Sequence, residues 1–195
     1  MISSEHGQAD RRFFTRWVLA TFAGYCLGFV LTILGAIAGD LIGMPESQFI
    51  VGIGMGAGVG FAQGRAARKW LGATIHWVWT TVIGMGVAFV VFDLVAAVWS
   101  EFSDVLSLQL DVIFGGLLVG LLQRRILRSH SDKANWWVPA CVAAWSLAAW
   151  TASVTPAGGQ NAFLNLGMIL FGGVVLGVVT GGALVWIRRH GAASH

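Results

Sequence analysis

Six apolar runs limit what this chain can fold into more than any other feature. They extend over 13–39, 49–64, 71–99, 112–127, 136–154 and 163–187, of which the second and fourth are short and are expected to stand upright or to include a flanking turn. A helix needs about 20 apolar residues to cross a hydrocarbon layer about 30 Å thick. Only 11% of the 195 residues are charged, whereas soluble domains have roughly 25%. The sequence therefore predicts an all-α, six-helix transmembrane bundle that forms one integral membrane domain over 1–195.

Basic residues are confined to one side of these runs. If the six helices cross alternately, all 12 Lys and Arg residues fall in the stretches 1–16, 64–70, 124–135 and 188–195. Acidic residues mark the opposite side: Asp40, Glu46, Glu101, Asp104 and Asp111. Loops rich in Lys and Arg remain in the cytoplasm, so we expect a multi-pass inner (plasma) membrane protein with both termini cytoplasmic. Clusters of two or three basic residues are too small to indicate nucleic-acid or lipid-headgroup binding.

A repeat of 60 residues divides the chain into three hairpins. Trp17, Trp77 and Trp137 each precede a valine and coincide when the chain is shifted by 60 positions. The hairpins cover about 13–69, 71–128 and 134–190, and the loop of the third is three residues shorter. Each hairpin crosses twice, so all three enter the membrane in the same direction. This predicts a pseudo-threefold arrangement about the membrane normal.

Repeated glycines lie at i and i+4 in the even-numbered helices. They are Gly56, Gly60, Gly116, Gly120, Gly173 and Gly177. Glycines at this spacing let helix backbones approach closely within lipid, which predicts helix-packing contacts. A central solute path lined by glycine backbone is the alternative. Gly28 has Ala88 and Ala148 as counterparts, so we expect it to tolerate a larger side chain better than Gly60 or Gly120.

Three uncharged polar residues recur one turn from the cytoplasmic end of the even-numbered helices: Gln63, Gln123 and Thr180. Such side chains hydrogen-bond neighbouring helices within a membrane, which suits a scaffold. If the even-numbered helices formed an inner ring, these side chains would instead converge into a polar cluster near the cytoplasmic mouth. They are therefore candidate functional residues.

Acidic residues that break the repeat are the remaining candidates. Asp93 has Ile33 and Ser153 as counterparts and lies toward the outer end of the third run. An acid within hydrocarbon is costly, and indicates a functional site; the alternative is that the helix ends near Phe92 and leaves Asp93 at the interface. Asp111 is interpreted as marking a helix end.

Tryptophan accounts for much of the aromatic content, with ten residues. Those near the cytoplasmic ends are predicted to lie at the lipid headgroups, where indoles are enriched: Trp17, Trp70, Trp77, Trp136, Trp137 and Trp186. Trp145 and Trp150 lie deeper in their run and are predicted to pack between helices.

The sequence contains no arrangement of residues that indicates catalysis. The two cysteines, Cys26 and Cys141, lie in apolar runs and suggest neither a disulfide framework nor a metal site. The five histidines lie in the cytoplasmic regions without paired spacing, so no zinc site is expected. We expect no enzyme activity, catalytic residue, metal or cofactor.

Two short motifs carry a resemblance. Trp-Val opens the odd-numbered helices, and Gly-x-x-Gln-x-Arg closes two even-numbered ones at 60–65 and 120–125, while 177–181 reads Gly-Val-Val-Thr-Gly. In these features the chain resembles a group of small bacterial multi-pass membrane proteins built from tandem hairpins. The resemblance implies a location and a fold, but no chemistry.

Two classes of function fit these observations. A membrane scaffold or accessory subunit is the leading hypothesis, because the repeated residues are explained by helix packing, and its partners would be the lipid bilayer and a membrane protein or a second copy. A small-solute transporter is the alternative, since the chain is similar in size and span number to the substrate-binding subunits of energy-coupling vitamin importers. The sequence identifies no small-molecule ligand.

Overall fold

The computed structural model describes residues 2–43, 48–72, 74–98, 104–153 and 162–191. In these ranges the chain forms six α-helices, one short 3-10 helix and no strand. The α-helices are α1 (Ile2–Leu41), α2 (Phe49–Leu71), α3 (Thr74–Val98), α4 (Asp104–Arg128), α5 (Trp137–Ser153) and α6 (Ala162–His190). The 3-10 helix Asp132–Trp136 joins α4 to α5.

Each helix covers all or most of one of the six apolar runs. Within the described ranges, three stretches are long and apolar enough to cross a membrane: Gly7–Leu41 in α1, Ile75–Val98 in α3 and Phe163–His190 in α6. The protein is therefore helical with three candidate spans, which indicates a membrane protein. Helices α1 and α4 begin well before their apolar runs, since polar N-terminal turns extend them.

Glycine and proline set two helix boundaries. Gly72 ends α2 with φ of +66°, and its amide donates to the carbonyl of Arg68 at 3.1 Å. Glycine adopts this left-handed conformation without steric cost. Pro139 lies in the first turn of α5, where proline removes no helical hydrogen bond.

The helices close into a ring. In the described part of the chain, each helix packs against its neighbours in sequence, and α1 packs against α6. Asp10 on α1 forms an ion pair with Arg189 on α6, in which Nε lies 2.6 Å from Oδ2. Arg188 also lies over the ring of Phe13, 4.6 Å from its centroid. These contacts join the first and last helices at the end of the ring that carries the basic residues, called the basic end below; the other end is the acidic end.

The first hairpin packs through glycine on both helices. A Cβ added to Gly28 would lie 2.9 Å from the Cα of Met55, and one on Gly58 would lie 2.5 Å from the Cα of Gly28. Gly28 is thus as closely packed as Gly60, where an added Cβ would lie 2.8 Å from the Cβ of Thr81. The expectation that Gly28 tolerates a larger side chain better than Gly60 is wrong. The alanines at the corresponding positions of the other hairpins say nothing about α2, which places glycines directly opposite Gly28.

Candidate functional site

Three tryptophans meet at the centre of the ring, toward its basic end. Trp17, Trp77 and Trp137 lie on α1, α3 and α5 and are at most 1% exposed. Their ring centroids are 5.6 to 6.4 Å apart. The prediction that these three indoles lie at the lipid headgroups is wrong, because their helices turn them inward. Trp136 and Trp186 are exposed, whereas Trp70 is half-buried.

Gln123 links two of the tryptophan-bearing helices. Its side-chain amide donates to Thr81 Oγ1 on α3 at 2.9 Å, and its oxygen accepts from Trp137 Nε1 on α5 at 2.9 Å. Thr81 Oγ1 in turn donates to the carbonyl of Trp77 at 2.8 Å. All these polar atoms belong to buried residues, so each bond replaces a contact with water.

Gln63 makes the corresponding pair of bonds one hairpin earlier. It donates to Thr21 Oγ1 on α1 at 3.2 Å and accepts from Trp77 Nε1 on α3 at 3.3 Å. In both places the glutamine of an even-numbered helix joins the threonine of the preceding helix to the tryptophan of the following helix. We call each such set a junction.

The third junction has different residues. Trp17 Nε1 donates to Thr180 Oγ1 at 2.9 Å, and this hydroxyl donates to the carbonyl of Leu176 at 2.6 Å. The position that threonine occupies in the other junctions is Cys141 on α5. The glutamine and its threonine partner are therefore replaced together, which avoids leaving a buried amide without an acceptor.

These bonds decide how the predicted polar candidates are arranged. Gln63, Gln123 and Thr180 each bond to an indole from an odd-numbered helix, and the indoles occupy the centre. The arrangement in which the even-numbered helices form an inner ring is therefore wrong.

The six repeated glycines all face the next helix along the ring. An added Cβ on Gly60, Gly120 or Gly177 would lie within 3.3 Å of a backbone atom of Val78, Val138 or Val18, respectively. Gly56, Gly116 and Gly173 likewise lie against Met85, Trp145 and Tyr25. These six glycines therefore lie in the interfaces between helices and do not line a central path beside the tryptophans.

A cavity of about 450 Å³ occupies the acidic half of the ring. All six helices contribute to its lining, which includes Phe29, Met55, Phe89, Val112, Trp145 and Ile169. The described residues that line it include no charged side chain. Gln109 and Ser153 bridge α4 and α5 at its rim, where Nε2 donates to Oγ at 2.8 Å.

The cavity arises from a difference between the hairpins. Phe29 on α1 and Phe89 on α3 both line it, and the residue at the same repeat position on α5 is Ala149. Ala148 and Ala152 extend this small-residue face of α5. Two phenylalanines and one alanine leave a space on the α5 side that three phenylalanines would fill.

Asp93 binds the beginning of α2. Its carboxylate oxygens accept from the amides of Phe49 at 2.9 Å and Gln48 at 3.3 Å. The first amides of a helix have no partner within the helix, and the positive end of the helix dipole attracts an anion. Asp93 is half-buried and caps the beginning of α2. Its position thus lies between the two predicted alternatives, an acid within the hydrocarbon and an acid at the interface.

Asp111 does not mark a helix end. It lies inside α4, is 1% exposed, and neither carboxylate oxygen has a hydrogen-bond partner among the described residues. Asp93 lies close enough to interact with it electrostatically.

Trp145 is buried as predicted, whereas Trp150 is 62% exposed and does not pack in the core.

The sequence also contained a signal for the threonines of the junctions, which the predicted candidates did not include. Thr21 and Thr81 coincide in the 60-residue repeat and lie four residues after a repeated tryptophan, which places both on one helix face. No comparable pattern marks Asp111 or the cavity. Among the described residues, no group of three His, Cys, Asp or Glu could hold a metal ion.

Comparison with known proteins identifies no matching family model, curated protein or solved structure.

Proposed function

We propose that this chain is a six-span protein of the inner (plasma) membrane that binds a small solute at the centre of its ring. The cavity of about 450 Å³ lined by all six helices carries this proposal. Ligand sites in proteins are apolar clefts of roughly 300 to 1,000 Å³ with a few polar groups. A scaffold without a ligand gains nothing from the loss of packing that an empty cavity entails.

Helix length and surface character support six spans. At 1.5 Å per residue, the 17 residues of α5 extend about 26 Å, close to the thickness of the hydrocarbon layer. Large apolar side chains face outward around the ring, among them Leu19, Leu34 and Leu94, which are 57 to 63% exposed. With the basic end in the cytoplasm, both termini are cytoplasmic and the cavity lies in the outer half of the membrane.

Matching contacts support a pseudo-threefold arrangement of hairpins. The glutamine junctions of the first two hairpins use corresponding atoms, and the repeated glycines contact corresponding valines. An axis along the membrane normal would pass through the three central indoles. The chain would thus have the fold implied by its resemblance to bacterial tandem-hairpin proteins.

Binding without chemical conversion suits either a transporter or the substrate-binding subunit of an importer. Scaffold and accessory-subunit functions remain the alternative, and a copurifying membrane protein would favour them.

The binding function is tested by filling the cavity. The protein is placed in lipid nanodiscs and titrated with N-phenyl-1-naphthylamine, an uncharged probe that fluoresces in apolar sites, and the signal of empty nanodiscs is subtracted. We expect saturable binding to the native chain and its loss in Ala149→Phe, which places a ring where the other hairpins carry Phe29 and Phe89. Ala143→Phe is the matched control, since Ala143 lies on the exposed face of the same helix.

Saturable binding that is equal in the two variants, or absent from the native chain, would contradict the proposal. A protein partner recovered in stoichiometric amount together with such a result would favour the scaffold.

Topology is tested separately with single cysteines in a chain lacking Cys26 and Cys141. Cysteines placed in 40–48, 100–108 or 156–162 should react with a membrane-impermeant maleimide in intact cells, and those in 64–70 or 129–135 should not. Labelling of the basic loops from outside would contradict the six-span orientation.

A further inference from the structure

We propose that Asp111 carries a proton in this arrangement of the helices and that the cavity binds its solute in this protonated form, so that solute and proton bind together. The inference rests on the solute-binding function proposed above and adds the ion that binds with the solute.

Asp111 is buried where nothing in the described part of the chain compensates a negative charge. It is 1% exposed, and neither of its side-chain oxygens has a hydrogen-bond partner among the described residues. An ionised carboxylate that leaves water without a counter-ion or hydrogen bonds is strongly unfavourable, and such a group binds a proton instead. The packed arrangement therefore requires the neutral acid.

The side chain of Asp111 lies in the interface between α4 and α3. Phe114 and Gly115 follow it by about one turn and flank it on the helix surface. Both contact α3: the ring of Phe114 lies 6.2 Å from that of Phe92, and a Cβ added to Gly115 would lie 3.5 Å from the Cβ of Ala88. Asp111 thus faces the part of α3 that carries Asp93.

Asp93 makes a second negative charge in this interface costly. It interacts electrostatically with Asp111, and its own carboxylate accepts from the amides of Phe49 and Gln48. Bonds from amides favour an ionised carboxylate, and two neighbouring carboxylates resist ionising together. Asp93 is therefore the ionised member of the pair, and Asp111 is the member that holds the proton.

No basic group among the described residues offsets the pair. Helix α4 packs against α3, α5, the 3-10 helix and α2. Asp93 is the charged group that the described parts of these elements place near Asp111, and Asp104 lies two turns earlier on α4 itself. The other charged or titratable groups of these elements lie toward the basic end, in 65–69, 124–128 and 132–133, with His76 and Cys141. Asp111 therefore takes its proton from water at the acidic end.

The same interface forms part of the cavity wall. Leu108 and Val112 on α4 line the cavity, as do Met85 and Phe89 on α3. Loss of the proton would leave two carboxylates facing each other, and hydration of the ionised Asp111 requires α3 and α4 to separate. This separation displaces the wall and weakens solute binding. By linkage, bound solute favours uptake of the proton.

The affinity for N-phenyl-1-naphthylamine at pH 6 and pH 9 tests this coupling. The full chain is placed in phosphatidylcholine nanodiscs, and the signal of empty nanodiscs is subtracted at each pH. We expect the native chain to bind about tenfold more weakly at pH 9, or weaker still, because the apparent affinity falls with the fraction of chains in the binding form.

Asp111→Asn has the shape of the protonated acid and cannot ionise, so at pH 9 it should bind as the native chain does at pH 6. Asp40→Asn is the matched control, because Asp40 is exposed on the acidic side; it should keep the native pH dependence. Histidines titrate in this range but are common to all three chains. Unchanged melting curves by circular dichroism show that the variants fold.

Infrared spectroscopy observes the proton directly. Exposed aspartates are ionised at pH 6, so a protonated-carboxyl band that is present in the native chain and absent from Asp111→Asn reports Asp111. This band should weaken at pH 9. The difference between the two spectra of the native chain alone provides the same test without a variant.

The two proposals fail in different ways. A missing infrared band, equal native affinities at the two pH values, or a pH dependence that persists in Asp111→Asn would contradict the proton. Tight binding at pH 9 that sodium chloride restores and N-methyl-D-glucamine chloride does not would also contradict it, by identifying a metal cation. In each case saturable binding that Ala149→Phe removes leaves the binding function standing. If no such binding occurs at either pH, the binding function itself is wrong, whatever the infrared band shows.

Discussion

Restoring the third junction to the residues of the other two should create a new hydrogen bond. The junctions at Gln63 and Gln123 each join a threonine to a tryptophan. The third has Thr180 and Cys141 at the corresponding positions. The variant Thr180→Gln/Cys141→Thr supplies both missing partners, and the glutamine oxygen can still accept from Trp17.

The size of the effect follows from the native junctions. Hydrogen bonds between membrane helices contribute about 0.6 kcal/mol on average and up to about 1.7 kcal/mol. The bond from Gln123 to Thr81 is 2.9 Å long, so a restored bond of the same length should fall in this range. Thr180→Gln alone should lower the free energy of unfolding by about 1 to 3 kcal/mol, because it buries an amide without a good acceptor.

Cys141→Thr alone should change stability little. Its hydroxyl can donate to the carbonyl of Trp137, as Thr81 does to Trp77 at 2.8 Å. The four chains form a double-mutant cycle, in which the coupling energy isolates the new contact. We expect a favourable coupling of about 0.6 to 1.7 kcal/mol.

Unfolding is measured by titrating SDS into mixed micelles and following the helical circular-dichroism signal. The reference is the same cycle at a native junction, using Gln123→Leu and Thr81→Val. If the native cycle gives favourable coupling and the third junction gives none, the two sites are not structurally equivalent. The reasoning from the repeat would then be refuted.

Two further comparisons test local packing and electrostatics by the same unfolding titration. Gly60→Leu should lower the free energy of unfolding by about 1 to 3 kcal/mol through overpacking, because a Cβ added to Gly60 would lie 2.8 Å from the Cβ of Thr81. Gly182→Leu should change it by no more than about 0.5 kcal/mol, since a Cβ added to Gly182 would have no atom of another helix within 4 Å among the described residues. Equal losses would show that the repeated glycine is not a packing contact. Asp93→Ala should lower the free energy of unfolding by about 1.5 to 3 kcal/mol, because it removes two charge-assisted bonds to α2. Asp111→Asn should leave stability unchanged or raise it, because it replaces a buried ionisable group that has no hydrogen-bond partner among the described residues. A larger loss for Asp111→Asn would point to a partner for that carboxyl group.

Local properties of the chain determined the helices. The six apolar runs largely coincide with α1 to α6, and three of these helices are long and apolar enough to cross a membrane. Hydropathy and run length are properties of one segment, so they need no knowledge of its neighbours. The separation of basic from acidic residues can likewise be predicted without knowledge of helix packing, because it depends only on which connecting stretches carry the charges. The repeat predicted which positions correspond, and it led directly to Gln63 and Gln123 as polar residues of the interior.

Contacts between segments decided the rest. An indole near a helix end suits the lipid headgroups and a polar partner in the core equally well, so only the facing helices determined that Trp17, Trp77 and Trp137 are buried. The burial of Asp111 and the capping contact of Asp93 likewise depend on which helix lies opposite. The cavity is a property of all six helices at once, since each contributes to its lining and α5 carries Ala149 where α1 and α3 carry phenylalanines. The sequence of a single helix therefore cannot predict the cavity, because the walls of the cavity come from several helices.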